Sequence, residues 1–250
     1  MTGESTVTEL INTFISKLRA ASSGTEFAVV LIGSVARNAA TSQSDLDLLI
    51  VADSEIEFQR TAERFHVQSF SERGFLERLR SGDDFVAWCV RFGIPLVNSA
   101  AWDRIVNSPE AKTWPEWRIK IDHAARRLLL ANDLFLLRDE EAAIEELTYA
   151  VSHIGRALLL QRQVFPLSRP EMVLQLADTG YRRLSNILND LGNRQVSTSD
   201  IRQTIRYIKK LLVFLDRDRF KQYLRVRKRA QLLRRRKAAD AVATGMFDRP

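Results

Sequence analysis

The apolar positions change their period part-way along the chain. Leu10, Ile11, Phe14, Ile15 and Leu18 recur at three- and four-residue spacing, which predicts a helix that ends at Gly24. Thr6-x-x-Glu9 has the form of a capping box for it. Phe27–Ile32 (FAVVLI) is wholly apolar and rich in β-branched residues, the pattern of a strand covered on both faces. Residues 46–51 (LDLLIV) read as a second strand. Residues 65–70 (FHVQSF) read as a third, with His66, Gln68 and Phe70 on one face and Phe65, Val67 and Ser69 on the other. Helices over about 72–80 and 83–92 and a short strand at 95–97 complete an α/β first half.

Pro109 and Pro115 bracket a boundary. Beyond it the spacing is helical almost to the end, over residues 117–138, 140–163, 171–191 and 199–215, with breaks at Pro166, Pro170 and Gly192. The expected fold class is an α/β domain, a mixed sheet with helices, followed by an all-α bundle of four or five helices. The expected domains are 1–110 and 115–240, with 241–250 as a frayed tail. No internal repeat and no low-complexity linker interrupts the 250 residues.

Composition adds a compartment and a partner class. No run reaches eighteen apolar residues, so no membrane span is expected. The start, MTGESTVTEL, lacks the basic and apolar regions of a secretory signal, and a cytoplasmic location is expected. Cys89 is the sole cysteine, which excludes an intramolecular disulfide and a cysteine-based zinc cluster. The formal net charge is +7, but residues 202–250 hold 16 Lys and Arg against 4 Asp and Glu. The rest of the chain is therefore mildly acidic, and the basic end suggests a polyanionic partner.

The chemistry concentrates in residues 31–51, LIGSVARNAATSQSDLDLLIV. A strand stops at Gly33-Ser34, a short helix follows, and Asp45-x-Asp47 opens the next strand. Gly33 lets the backbone approach a bound group, and the Ser34 hydroxyl with the N–H groups after it can hold a phosphate. Asp45 and Asp47 are two apart on a strand, so both carboxylates point to one face. Such a pair repels itself unless a cation sits between, and Mg²⁺ is commonly shared between carboxylates and substrate phosphates.

Gly-Ser, a ten-residue spacer and Asp-x-Asp resemble the signature of the DNA polymerase β-like nucleotidyltransferases. The Ser-Val-Ala-Arg stretch after Gly33 and Ser44 before Asp45 are most similar to the small bacterial branch, the minimal and kanamycin-type enzymes. The resemblance covers roughly residues 25–100. It implies a transferase that moves a nucleoside monophosphate from an NTP to an acceptor hydroxyl, with Mg²⁺ or Mn²⁺ as cofactor. It implies that Asp45 and Asp47 bind metal and that Gly33, Ser34, Arg37 and Ser44 bind nucleotide. Residues 157–176 (ALLLQRQVFPLSRPEMVLQL) resemble the all-helical domain that follows such enzymes, similar to the kanamycin nucleotidyltransferase C-terminal domain and to HEPN bundles.

The pattern departs from the family on the third strand. The family places a third carboxylate there, whereas no Asp or Glu lies between Glu63 and Glu72 and the candidate positions hold His66 and Gln68. His66 either replaces the base, since histidine titrates near neutrality, or bonds within the sheet. Two function classes therefore stand: an active nucleotidyltransferase, or a nucleotidyltransferase-fold protein that binds nucleotide, nucleic acid or a toxin–antitoxin partner without turnover. Arg37 either reaches a phosphate or covers surface. Asp83-Asp84 reads as a helix cap, the four tryptophans as packing, and His153 as a bundle residue. Arg118-x4-His123 resembles the HEPN ribonuclease motif, but its two residues lie on different helix faces, so no nuclease activity is expected. Within the basic segment, Arg225, Arg227, Lys228, Arg229, Arg234, Arg235, Arg236 and Lys237 are the candidates for RNA or DNA phosphates. A solvated last helix, packed by Phe220, Tyr223, Leu224 and Leu232, and protein docking are the competing readings of that segment.

Overall fold

The run FAVVLI has no polar position, so the strand it forms must be covered on both sides, and it is. The structure, a computed structural model, describes residues 2–22, 24–39, 45–53 and 65–225, with side chains from residue 8 onward. It divides into two compact units, Met1–Glu116 and Trp117–Pro250.

The first unit is built on a four-stranded sheet of β1 (Phe27–Ile32), β2 (Leu46–Ala52), β3 (Phe65–Ser71) and β4 (Ile94–Val97) in the order β3-β2-β1-β4. β1 is antiparallel to β2 and β4, whereas β2 and β3 are parallel. Every residue of β1 is buried. On one face, Phe14, Ile15 and Leu18 of α1 (Thr2–Ala21) pack against Phe27, Val29, Leu31, Leu48, Ile50 and Val67. Residues of opposite parity turn to the other face, where α3 (Glu72–Arg80), α4 (Asp84–Phe92) and α5 (Ala100–Asn107) lie. There Phe75 meets Phe70 of β3 and Trp102 of α5 edge to face, at 5.7 and 5.9 Å between ring centroids.

Local signals start the helices on that second face. Ser71 caps α3, Asp83 accepts a hydrogen bond from the Phe85 N–H at the start of α4, and Ser99 caps α5. Arg104 of α5 reaches Glu72 at 2.5 and 2.8 Å and Asp53 at 3.3 Å, tying α5 to the start of α3 and the end of β2. Three details correct the sequence reading. α1 starts at Thr2, so Thr6 lies within the helix rather than capping it, and it stops at Ala21, short of Gly24. α5 is a helix the spacing did not reveal.

The second unit contains α6 (Trp117–Leu136), α7 (Glu140–Gln161), α8 (Arg169–Asp178), α9 (Arg182–Gly192) and α10 (Thr198–Leu215), and residues 217–225 continue as helix after Asp216. Small residues let α6 and α7 approach: Ala124, Ala125 and Ala131 from one and Ala143, Ala150 and Ala157 from the other are all buried. The single helix expected over 171–191 is two. Gly180, at φ +92°, turns the chain between α8 and α9 in a left-handed conformation that would strain other residues. Of the apolar stripe expected in the basic segment, Phe220 is 2% exposed in the bundle core and Tyr223 and Leu224 pack against that core, whereas Leu232 lies outside the described residues. Arg219 secures it through a two-point contact with Asp122 of α6 at 2.5 and 2.6 Å. Among the described residues no helix is long and apolar enough to cross a membrane.

Candidate active site

The end of β1 and the start of β2 face each other in the sheet. Their antiparallel register sets Ile32 opposite Asp47, so the turn after Ile32 closes over the Asp47 side chain. Gly33 makes that turn at φ +77° and opens the four-residue helix α2 (Gly33–Ala36). A Cβ on Gly33 would lie 2.1 Å from Asp47 Oδ2 and 2.9 Å from its Cγ. Glycine is thus required twice, by its backbone conformation and by contact with the carboxylate. Gly33 from one half of the motif read from the sequence and Asp47 from the other thus lie against each other.

Asp47 shares its face with Leu49 and Val51, on the side of the sheet that carries α3–α5. The parallel register pairs it with His66 of β3, and the two side chains meet, His66 Nδ1 to Asp47 Oδ1, at 3.1 Å. With Asp47 ionised, the His66 Nδ1–H donates and Nε2 is left as the acceptor, 3.5 Å from the Gln68 amide nitrogen. The His66 side chain is 61% exposed and that of Asp47 31%. Of the two readings of His66, bonding within the sheet is what its geometry displays, and its exposed ring remains open to an incoming group.

The electrostatics of Asp47 are those of a carboxylate short of positive charge. Burial pushes its pKa above the usual carboxylate range, and the nearby charge of Asp45 pushes the same way. The hydrogen bond and charge of His66 work against both. Asp45 stands exposed one residue before β2. The two carboxylates are close enough to interact and offer hard oxygen donors, which suits a divalent cation that takes its remaining ligands from phosphates and water. No group of three or more His, Cys, Asp or Glu residues gathers as a metal cluster among the described residues.

The other predicted residues are placed as follows. Ser34 opens α2 beside Gly33, and its carbonyl accepts from the Arg37 N–H at 3.2 Å. The Arg37 guanidinium lies 5.5 Å from the centre of the Trp88 ring on α4, and Trp88 packs against Phe92 at 5.3 Å. Trp88, read from the sequence only as a packing residue, thus lies under the Arg37 guanidinium. Ser44 lies outside the described residues. Arg225 ends the described helix and is exposed. Arg227, Lys228, Arg229, Arg234, Arg235, Arg236 and Lys237, with the expected tail at 241–250, lie outside the described residues.

The stretch from α1 through α3, which carries the glycine turn, both strand aspartates and His66, is also where a family is recognised. Residues 11–80 match the nucleotidyltransferase domain family. The match takes in Gly33, Ser34, Asp45, Asp47 and His66 and stops short of the helical unit. No curated protein matches the sequence. Among solved structures the chain is similar to a nucleotidyltransferase-like protein from Exiguobacterium sibiricum 255-15, at 15% identity and a TM-score of 0.43, over 78% of this chain and 71% of that one. The nucleotidyltransferase domain match points to a function in nucleotidyl transfer, and the mixed sheet that carries the site is the α/β architecture expected from the sequence.

Proposed function

We propose that the first unit is a nucleotidyltransferase dependent on Mg²⁺ or Mn²⁺, moving a nucleoside monophosphate from an NTP to an acceptor hydroxyl. The observation that carries this reading is the contact between the glycine turn and the metal-type carboxylate, where Asp47 Oδ2 occupies the space a side chain on Gly33 would need. The close approach of the glycine turn to Asp47 supports a phosphate bound at the turn sharing a cation with that carboxylate.

Each residue has a part. Asp45 and Asp47 hold the cation, which when bound supplies charge that draws the triphosphate oxygens into the site. Gly33 and Ser34 present backbone N–H and hydroxyl donors to the phosphates, with Ser44 and Arg37 as further nucleotide contacts. Arg37 is oriented by the face of Trp88. The acceptor oxygen bonds to the α-phosphorus, the bond from that phosphorus to the bridging oxygen breaks, and pyrophosphate leaves with the electron pair. His66 is one of the two β3 residues, with Gln68, at the positions where the family carries its third carboxylate. Asp47 orients its ring through Nδ1, and Nε2 takes the acceptor's proton.

A second reading is favoured by one observation: only His66 and Gln68 flank Asp47 from β3, so the unit binds Mg-nucleotide and regulates a partner without turnover. The acceptor in the first reading is an RNA end, a protein side chain or a small molecule: the basic segment from Arg225 onward favours RNA, and the kanamycin-type likeness of the helical region favours an aminoglycoside. The protein is incubated with each labelled NTP, Mg²⁺ or Mn²⁺, and pooled RNA or aminoglycosides. Label transfer that needs metal and is lost in Asp47→Asn supports the enzyme. Saturable NTP binding with no transfer to any acceptor replaces it with the binding protein.

A further inference from the structure

The helical unit has a cavity of about 380 Å³ lined by His123, Arg126, Arg127 and Leu130 of α6 and by His153 of α7. The spacing 123, 126–127, 130 places the four α6 residues on one helix face. Across the gap, the imidazoles of His123 and His153 meet edge to face with centroids 5.1 Å apart. Neither the glycine turn nor the carboxylate pair lies in this unit, and nothing proposed above uses these residues.

The two arginines are held differently. Arg127 is fixed: its Nη1 donates to both oxygens of Glu146, at 2.7 and 2.8 Å, and its guanidinium stacks 4.9 Å from the centre of the Tyr149 ring. These carboxylate contacts pass through Nη1, so Nε and Nη2 remain as donors. Arg126 is exposed, and its contact is a long one, Nε to the Asp122 carbonyl at 3.4 Å. Its two terminal nitrogens are uncommitted, and it has no carboxylate partner among the described residues.

The donors select the ligand. Two guanidinium groups repel a cation, and no third His, Cys, Asp or Glu joins the two imidazoles as a metal cluster among the described residues. An oxyanion is favoured instead. Guanidinium forks match phosphate oxygens, and an imidazole N–H adds a further donor. Glu146 neutralises only Arg127, which leaves Arg126 in excess. A volume of this size accommodates more than a bare ion.

We propose that this cavity is a phosphate-binding site, taking the phosphate of a free nucleotide or of a polynucleotide strand. It does not depend on the transfer chemistry assigned to the first unit.

The chain has three histidines, so its ring-proton NMR signals can be assigned from His66→Gln, His123→Gln and His153→Gln. The full chain is titrated at constant pH with inorganic phosphate, with AMP and with a ten-nucleotide RNA. The His123 and His153 signals are expected to move together and saturably, and Arg126→Gln is expected to weaken the apparent Kd about tenfold. Because Arg126 is exposed, that variant should keep the parent's thermal midpoint, which circular dichroism checks. Saturation with AMP identifies a free nucleotide as the source, and saturation with RNA alone a polynucleotide. Absence of saturable movement at both histidines with all three probes overturns the site, as does an Arg126→Gln curve that superposes on the parent's.

Discussion

Replacing Gly33 by alanine tests the joint between turn and carboxylate. Two costs act together. A non-glycine residue in the left-handed region costs about 1–2 kcal/mol. The added methyl would sit 2.1 Å from Asp47 Oδ2, far inside van der Waals contact, and overpacking of this kind costs about 1–3 kcal/mol. Gly33→Ala should therefore destabilise the first unit by about 2–5 kcal/mol and lower its thermal midpoint by at least about 8 °C. Gly24 is the control, because it also has positive φ, at +86°, with nothing within 4 Å of where its Cβ would be. Gly24→Ala should show only the backbone cost, about 1–2 kcal/mol. The decisive measurement is a double-mutant cycle by urea denaturation. Asp47→Ala removes the 2.1 and 2.9 Å contacts and leaves the Cβ at 3.0 Å, so in that background Gly33→Ala should lose most of its steric part, a coupling of about 1–3 kcal/mol. Additivity within about 0.5 kcal/mol would refute the reasoning, because the two residues would then not be in contact.

Three further outcomes are expected. The raised pKa of Asp47 means that the folded chain favours its protonated form, so its contribution to stability declines as pH rises from the ordinary carboxylate value through the raised one. Asp47→Asn should thus be more stable than the parent at neutral pH, a gain that fades on acidification, while Mn²⁺ affinity measured by paramagnetic relaxation falls in the parent over the same window. Glu72 is the opposite case. The Arg104 hydrogen bonds hold its pKa below the usual range, so the stability it gives is present above the ordinary value and lost as pH falls through the lowered one; Glu72→Gln should narrow its deficit against the parent in acid-unfolding curves. In the helical unit, Phe220→Ala should cost about 3–5 kcal/mol in denaturant unfolding, so deletion from residue 217 should unfold that unit, whereas deletion from 226 keeps it folded and removes salt-sensitive RNA retention.

The first two strands were legible because β1 is buried along its whole length and reads as an unbroken apolar run, and β2 as an apolar run interrupted only by Asp47. α5 was not: prolines flank it at 95 and 109, and its start is completed by the Glu26 carboxylate, 74 residues distant in sequence, which accepts from the Ala100 N–H at 2.8 Å. The break between α8 and α9 was signalled by Gly180 alone, within apolar spacing that continues across it. At the site, the strand–turn–strand pattern of the sequence was enough to expect the Gly33 turn near Asp47, and the fold brings those two together. The bond from Asp47 to His66 depends on the register of two parallel strands, which no local pattern encodes.

The crowding of Gly33 against Asp47 also orders the routes by which this sequence can change. While the carboxylate is present, position 33 accepts no side chain without displacing it. Removing the carboxylate first relaxes that constraint, although the left-handed backbone still prefers glycine. A lineage drifting away from metal chemistry would therefore cross position 47 before position 33. The reverse order passes through an intermediate penalised in both fold and site. Glycine at 33 thus carries a memory of the acid opposite it, and this chain keeps both residues.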